Sequence, residues 1–300
     1  MKGICYLILH YKGIEDTIQC VESIKETSGT NIYNIVIVDN GSGNGTGEQL
    51  KNIYMNEKNI YVLLSINNIG FSRGNNLGYK FIKENLNPAF LIVTNSDVIF
   101  YQKDLYKLIK NIYQENQFHV LGPDIYVREN KEHQSPLYMK PTTVSQVQKE
   151  IEQYEFYQKH LKLYVLKRKL QIIKNQLYSN STIFKKIYNI LKRREDIDYS
   201  RQYKNVGVQG ACIVFSNKYI KAEDKLFSPE TFLYCEELLL YQKCHEKGYL
   251  SIYDPRFRIY HEDSASIKKI TKNSLDKAKF TLEHHVLSRK LLLNYLKGNE

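Results

Sequence analysis

The sequence predicts an α/β fold on a mostly parallel central sheet flanked by helices, and three observations carry that expectation. Ile35-Val36-Ile37-Val38 and Phe90-Leu91-Ile92-Val93-Thr94 are unbroken apolar runs of strand length, as strands buried on both faces require. Each run stops at turn residues that include an acid, Asp39-Asn40-Gly41-Ser42 after the first and Asn95-Ser96-Asp97 after the second. Around them, strands alternate with segments of helical spacing, the rhythm of βαβ units. Carboxylates at the C-terminal ends of buried parallel strands stand where open α/β sheets bind ligands. Two such ends imply one crevice with two acids, suited to a cation, a polar ligand, or both.

The elements follow in order. Residues 4–9 (Ile-Cys-Tyr-Leu-Ile-Leu) read as a first strand; the apolar part is too short for a signal peptide, and His10-Tyr11-Lys12 replaces a small-residue cleavage site. Residues 15–27 read as a helix, with Ile18, Val21 and Ile24 at helical spacing. Strand 35–38 leads into the Gly-rich turn 41–47, which lacks both the GxGxxG order and the Walker lysine. A helix near 47–56, a strand at 60–64, a turn at 67–71, a helix over 72–85, strand 90–94 and a helix over 102–116 come next. Residues 142–198 break the rhythm. There Leu163, Leu166, Leu170, Ile173, Leu177, Phe184, Ile187 and Leu191 form an amphipathic seam weakened at Ser179-Asn180-Ser181-Thr182, which reads as two basic helices in a hairpin or bent pair. The α/β pattern resumes at 206–215. A helix over 235–247 ends at the C-cap Gly248, and strand 249–253, a strand-like segment to His261 and a last helix over roughly 272–297 complete the chain. The expected units are 1–141, the insert 142–204, 205–265 and the helical segment 266–300.

Composition narrows the class. At 300 residues and 42% hydrophobic content the chain can bury a large core, and no 18-residue apolar run predicts a transmembrane helix. Five cysteines, odd in number and without a CxxC pair, read as reduced thiols in a cytosolic protein rather than a zinc site or a disulfide framework. The net charge is +11, and the stretch Phe156 to Arg194 alone holds 11 Lys or Arg with no Asp or Glu. The rest of the chain is therefore near neutral.

Seven motifs stand in one order: Ile8-Leu9-His10-Tyr11, Val38-Asp39-Asn40-Gly41-Ser42, Asn67-Asn68-Ile69-Gly70-Phe71, Asn95-Ser96-Asp97, Gly210-Ala211-Cys212, Phe232-Leu233-Tyr234-Cys235-Glu236-Glu237 and His261. In that order and spacing the chain resembles family-2 glycosyltransferases of the GT-A fold, over about residues 1–125 and 205–265. The nearest look-alikes build bacterial capsule, O-antigen or cell-wall glycans. The resemblance implies a Rossmann-like GT-A sheet and an inverting transfer from a UDP- or dTDP-linked sugar to a hydroxyl of a growing surface glycan or lipid-linked acceptor.

The chemistry accounts for the residue types. A departing nucleoside diphosphate builds negative charge that Mn²⁺ or Mg²⁺ can neutralise, and such hard cations need few protein carboxylates when the diphosphate supplies oxygens. Asp97 matches the last residue of the family's DxD position, here Asn-Ser-Asp, which implies the metal contact; Asn95 and Ser96 fall in the same donor site. The same three residues would also suit capping of a following helix. Asp39 matches the acid that receives the base N–H, and would also close an Asp-Asn-Gly turn. Leu9 and Tyr11 fall where relatives line the base and ribose pocket. Arg73 stands either to meet a phosphate or as a solvated helix-start arginine. Glu237 matches the general base and Glu236 its alternate, although acids there also suit a helix N-terminus. His261 matches a residue of the metal or diphosphate shell.

The basic insert fits a solvated face, an anionic membrane surface at the inner face of the plasma membrane, or a nucleic-acid patch, with nucleic acid disfavoured. Its seam also permits homodimerisation. Two rival functions are a sugar-phosphate nucleotidyltransferase, against which residues 8–14 lack a Gly-rich phosphate loop, and a non-catalytic membrane or nucleic-acid binding protein using the insert.

Overall fold

The apolar runs form strands because β-branched residues pack well on a pleated surface covered on both sides. In a computed structural model, residues 3–29, 32–180, 197–262 and 274–298 are described, without the side chains of residues 172 and 174–180. The strands are β1 (Ile4–His10), β2 (Tyr33–Asp39), β3 (Ile60–Leu64), β4 (Phe90–Asn95), β5 (Val98–Ile99), β6 (Val120–Val127), β7 (Glu132–His133), β8 (Tyr203–Lys204), β9 (Cys212–Ser216) and β10 (Ser251–His261). The helices are α1 (Ile14–Ser28), α2 (Thr46–Ile53), α3 (Phe71–Asn85), α4 (Leu105–Asn116), α5 (Val144–Lys159), α6 (Leu161–Asn180), α7 (Asn217–Ala222), α8 (Glu236–Glu246) and α9 (Ser274–Leu296).

One sheet runs in the order β3-β2-β1-β4-β9-β6-β10-β5, with β7 beside β6 and β8 beside β10. Its first half is parallel, as the βαβ rhythm implies. From β4 onward it is mixed: β9 runs antiparallel to both β4 and β6, while β6 and β10 are parallel. The α/β class therefore holds, and the antiparallel strand enters where the helical insert replaces a simple crossover.

The sheet is covered on both faces. On one lie Cys20, Val21 and Ile24 of α1 with Ile109 and Ile112 of α4. On the other lie Tyr79 and Ile82 of α3, Tyr219 of α7 and Leu240 and Cys244 of α8. A third cluster joins Val147 and Ile151 of α5 to Cys235, Leu238 and Leu239 around α8 and Leu292 of α9. All five cysteines are free and buried.

Strand β6 is absent from the sequence-based expectations, because Gly122-Pro123-Asp124 reads as a turn. The sheet accommodates the proline where β10 bulges: Asp254 pairs with Pro123 and Arg258 with Asp124. The insert also differs from its expected form. Its helices break at His160, α5 opens on a capping box of Thr143 and Gln146, and α5 and α6 lie against α9. On α6 the seam residues Leu163, Leu166, Leu170 and Ile173 are exposed rather than packed. Phe184, Ile187, Leu191 and the basic residues 185, 186 and 192–194 lie outside the described residues, as do residues 272–273 of the last expected helix. Among the described residues no helix is long and apolar enough to cross a membrane.

Candidate active site at the strand ends

The C-terminal ends of β1, β2 and β4 open into a crevice of about 330 Å³, closed opposite by residues 209–211, 232–234, 236 and 237. Such a volume suits a small polar ligand. Leu9, Tyr11, Asn95, Ser96, Asp97, Glu236 and Glu237 all line it. The structure thus brings together seven of the ten residues singled out from the sequence.

Asn40 ties down the donor side. Its Nδ2 donates to the Asn68 side chain (3.1 Å) and the Gly70 carbonyl (3.2 Å), and its Oδ1 accepts from the Ile69 N–H (3.1 Å). Gly70 has φ +85°, and a Cβ there would lie 2.6 Å from the Phe232 backbone. Only glycine allows that approach, and it lets the Phe71 N–H donate to the Phe232 carbonyl at 2.7 Å. The two sides of the crevice are thereby joined.

Asp39 is placed under the Gly-rich turn. Its Oδ1 accepts from the Ser42 hydroxyl (2.5 Å) and the Ser42 N–H (3.2 Å), and a Cβ at Gly47 would lie 2.4 Å from its Oδ2. His10 braces the same turn from below, bonding Thr17 (2.7 Å) and Thr46 (2.9 Å). Arg73 is 62% exposed on α3 and pairs with Glu230 at 3.2 Å, away from the crevice lining.

The turn Asn95-Ser96-Asp97 is not a helix cap. Strand β5 follows it, and the next helix begins only at Leu105. β5 pairs antiparallel with the end of β10, His261 opposite Val98, and this carries His261 to Asp97. His261 Nε2 lies 3.2 Å from Asp97 Oδ1, and both residues are buried. His261 Nδ1 faces the Gln134 amide oxygen at 2.8 Å. With that oxygen as acceptor, Nδ1 carries the hydrogen and Nε2 turns a lone pair toward a carboxylate. An imidazole nitrogen and a carboxylate oxygen 3.2 Å apart, with Asp97 lining the crevice, could serve as two ligands of Mn²⁺, and the carboxylate alone as one of Mg²⁺. Among the described residues no group of three His, Cys, Asp or Glu forms a cage, so any ion here would draw further ligands from elsewhere.

Glu236 and Glu237 open α8 after Tyr234 and Cys235, two consecutive residues with φ near +68° and +66°. The Glu236 carboxylate accepts from the Thr231 hydroxyl at 3.1 Å, and Glu237 Oε1 accepts from the Gly210 N–H at 3.2 Å. Burial raises both carboxyls above the usual range, and in Glu236 the neighbouring Glu237 adds to the shift. Two acids side by side, Glu236 buried and Glu237 partly so, hold one negative charge between them more readily than two. Backbone N–H groups favour charge on both carboxyls, with the Thr231 hydroxyl added at Glu236, and it is the neighbouring Glu237 charge that raises Glu236 further. The adjacent Ala211 carbonyl accepts from the Asn95 N–H (2.9 Å), so residues 210–211 connect the Asp97 turn to the acid pair.

Sequence reasoning missed Gln134 and gave no role to Gln209, Phe232, Leu233 or Tyr234. Gln134 is a lone polar residue before Ser135-Pro136, and no motif marks it. The aromatic run did stand within a quoted motif.

The glycosyl transferase family 2 model matches residues 7–221. The low-salt glycan biosynthesis hexosyltransferase Agl10 of Haloferax volcanii is 28% identical over 129 residues, which span 43% of this chain and 38% of that protein. The match thus covers well under half the length of the curated relative. The crystal structure of GalNAc-T7 with UDP, GalNAc and Mn²⁺ superposes with a TM-score of 0.53 at 12% identity, over 87% of this chain and 44% of that one. The S. aureus TarS 1–349 structure gives 0.50 at 14% identity, over 99% and 74%. These likenesses establish a GT-A-type fold, and with the family model matching residues 7–221, more than half of the chain, the chain belongs to glycosyl transferase family 2.

Proposed function

We propose that the chain is an inverting, metal-dependent glycosyltransferase. It moves a sugar from a UDP- or dTDP-linked donor to a hydroxyl of a bacterial surface glycan or lipid-linked acceptor. The observation that carries this reading is one crevice faced by Asp97 and by the Glu236–Glu237 pair. Family membership gives no support to a nucleotidyltransferase or a non-catalytic binding protein.

Leu9 and Tyr11 pack against the donor's nucleoside, and Asp39 receives a base N–H at the edge of the Gly-rich turn. Asn95 and Ser96 offer polar groups to the ribose and diphosphate. Asp97 and His261 would hold Mn²⁺ or Mg²⁺, which offsets the charge of the departing diphosphate. Glu237 removes the acceptor's hydroxyl proton as that oxygen bonds to the anomeric carbon. The bond from that carbon to the phosphate oxygen breaks on the opposite face, and its electron pair leaves with the diphosphate. Glu236 stays protonated and keeps the pair's single charge on Glu237. General base catalysis of this kind contributes roughly 10²–10⁴-fold. Glu237→Gln is expected to bind donor like wild type and lose transfer, read by nucleoside diphosphate release with a sugar acceptor. Full transfer by this variant would remove Glu237 from the role.

The enzyme works at the inner face of the plasma membrane. What supports this is α6, where Leu163, Leu166, Leu170 and Ile173 are each about half exposed (47–57%). Lys162 and Lys169 flank them on one side and Lys167 on the other, and residues 161–180 hold no acid. Leucines inserted at the interface with lysines reaching headgroups describe an interfacial helix.

A further inference from the structure

The turn before the acid pair is unusual. Tyr234 and Cys235 are consecutive non-glycine residues in the left-handed region, where a Cβ crowds the backbone. Such a turn persists only when its surroundings over-determine it. Besides Gly70 and Phe71 against Phe232 and α5 against Cys235, the surroundings are one face of α9. His284 stacks on Phe232 (4.6 Å between ring centroids) and His285 on Tyr234 (3.9 Å). The Ser288 hydroxyl donates to the Leu233 carbonyl at 2.6 Å, and Arg289 Nη1 donates to the Cys235 sulfur at 3.3 Å. Residues 284, 285, 288 and 289 share one side of a helix, and each grips one of the four residues from 232 to 235.

The gripping residues are themselves fixed. Arg289 Nε donates to Glu150 of α5 at 2.6 Å, its guanidinium lies over the Tyr154 ring at 4.7 Å, and its Nη1 donates to His285 Nδ1 at 3.0 Å. The His285 ring is sandwiched between Tyr234 and Tyr154, the latter 4.7 Å away. Burial, with Arg289 and Arg168 nearby, pushes its pKa down to about 3, so the ring is neutral and can accept from the guanidinium.

We propose that α9, braced by Glu150 and Tyr154, is a clamp that sets the turn 232–235 and so aims Glu236 and Glu237 into the crevice. Arg289 and His285 are positioning residues for the transfer. The proposal rests on the glycosyltransferase reading for its catalytic consequence. Its structural half, that this helix face holds the left-handed turn, does not need that reading. The purpose is alignment: a misplacement of about 1 Å can cost on the order of 10²-fold in rate. Glu236 directly follows the left-handed pair, and Phe232, Leu233 and Tyr234 themselves line the crevice opposite Leu9 and Tyr11.

The test compares His285→Ala, His285→Phe, Arg289→Ala and Arg289→Lys in the full chain by amide hydrogen exchange, donor calorimetry and turnover. In both alanine variants, exchange at 232–237 is expected to rise about tenfold while 39–42 and 95–97 stay as in wild type, the signature of local release. Turnover should fall roughly 10- to 100-fold with donor Kd within about threefold. His285→Phe, which keeps the stack, should retain turnover within about threefold; Arg289→Lys, which keeps charge but not the fork, should fall between. Folded alanine variants with wild-type exchange at 232–237 overturn the clamp. So does a turnover loss matched by an equal loss of donor affinity, which would mean general damage. If wild type transfers no sugar, the glycosyltransferase reading fails, and the exchange data alone still decide whether the clamp exists.

Discussion

Gly210→Ala separates activity from stability. A Cβ at residue 210 would lie 2.6 Å from Glu237 Oε1, 3.2 Å from its carboxyl carbon and 3.3 Å from its Cγ. Ordinary contact begins near 3.4 Å, so the carboxylate must recede by most of an ångström. The atom that moves is the end of a side chain, and the Gly210 backbone is not in the left-handed region. Folding should therefore lose on the order of 1 kcal/mol, the middle of the range for point mutants. The displaced carboxylate also loses its 3.2 Å bond from the Gly210 N–H, the contact that favours its charge. Turnover is expected to fall on the order of 10²-fold, the effect of a catalytic group misplaced by about 1 Å. The assay is steady-state nucleoside diphosphate release with donor calorimetry and a thermal melt on the same preparation. Turnover within threefold of wild type, with the protein folded, would refute the placement of Glu237 as base.

Three further outcomes are expected. Glu236→Gln should melt at a higher temperature than wild type near neutral pH: burial raises the folded pKa, so from about 4.3 upward the unfolded chain releases a proton that the folded one keeps, and stability falls with rising pH until the raised pKa is passed. The difference should vanish near pH 4, and melts that track each other at all pH values would count against a protonated Glu236. Asp39→Ala should weaken nucleotide binding by about 1–3 kcal/mol; a lowered melting temperature with unchanged affinity would confine Asp39 to its turn with Ser42. Lys162, Lys167 and Lys169 changed together to Gln should lose about 3 kcal/mol of attachment to phosphatidylglycerol vesicles, near a hundredfold, and equal co-sedimentation of variant and wild type would leave α6 without a membrane role.

The first half of the sheet was legible because β1, β2 and β4 are buried on both faces and carry apolar runs that no helix period explains. The ends of β1 and β4 and the start of α8 also showed their crevice residues directly in sequence. What was hidden depends on long-range pairing. Asp97 meets His261 only because the two-residue strand β5 returns against the end of β10, and so short a strand has no readable period. Gln134 acquires meaning only from the His261 ring it faces. Strand β6 was concealed by a proline that is tolerable because β10, more than 100 residues later, bulges beside it. The seam of α6 was legible as amphipathic, but periodicity gives the existence of an apolar face and not what covers it. Similarly, His284, His285 and Arg289 read as ordinary helix residues, since nothing local marks their fit to residues 232–235.

The central claim is a metal-assisted nucleotide-sugar site built on Asp97. Its most direct test is calorimetric titration of UDP- and dTDP-sugars into wild type and Asp97→Asn, each with and without Mn²⁺. Mn²⁺ is expected to tighten donor binding to wild type by about tenfold or more, as one lost charge-assisted ligand of roughly 1.5–3 kcal/mol implies, and to do nothing for a folded Asp97→Asn. Donor affinity that ignores Mn²⁺ in wild type, or that responds to it equally in both proteins, would rule out a metal site at Asp97.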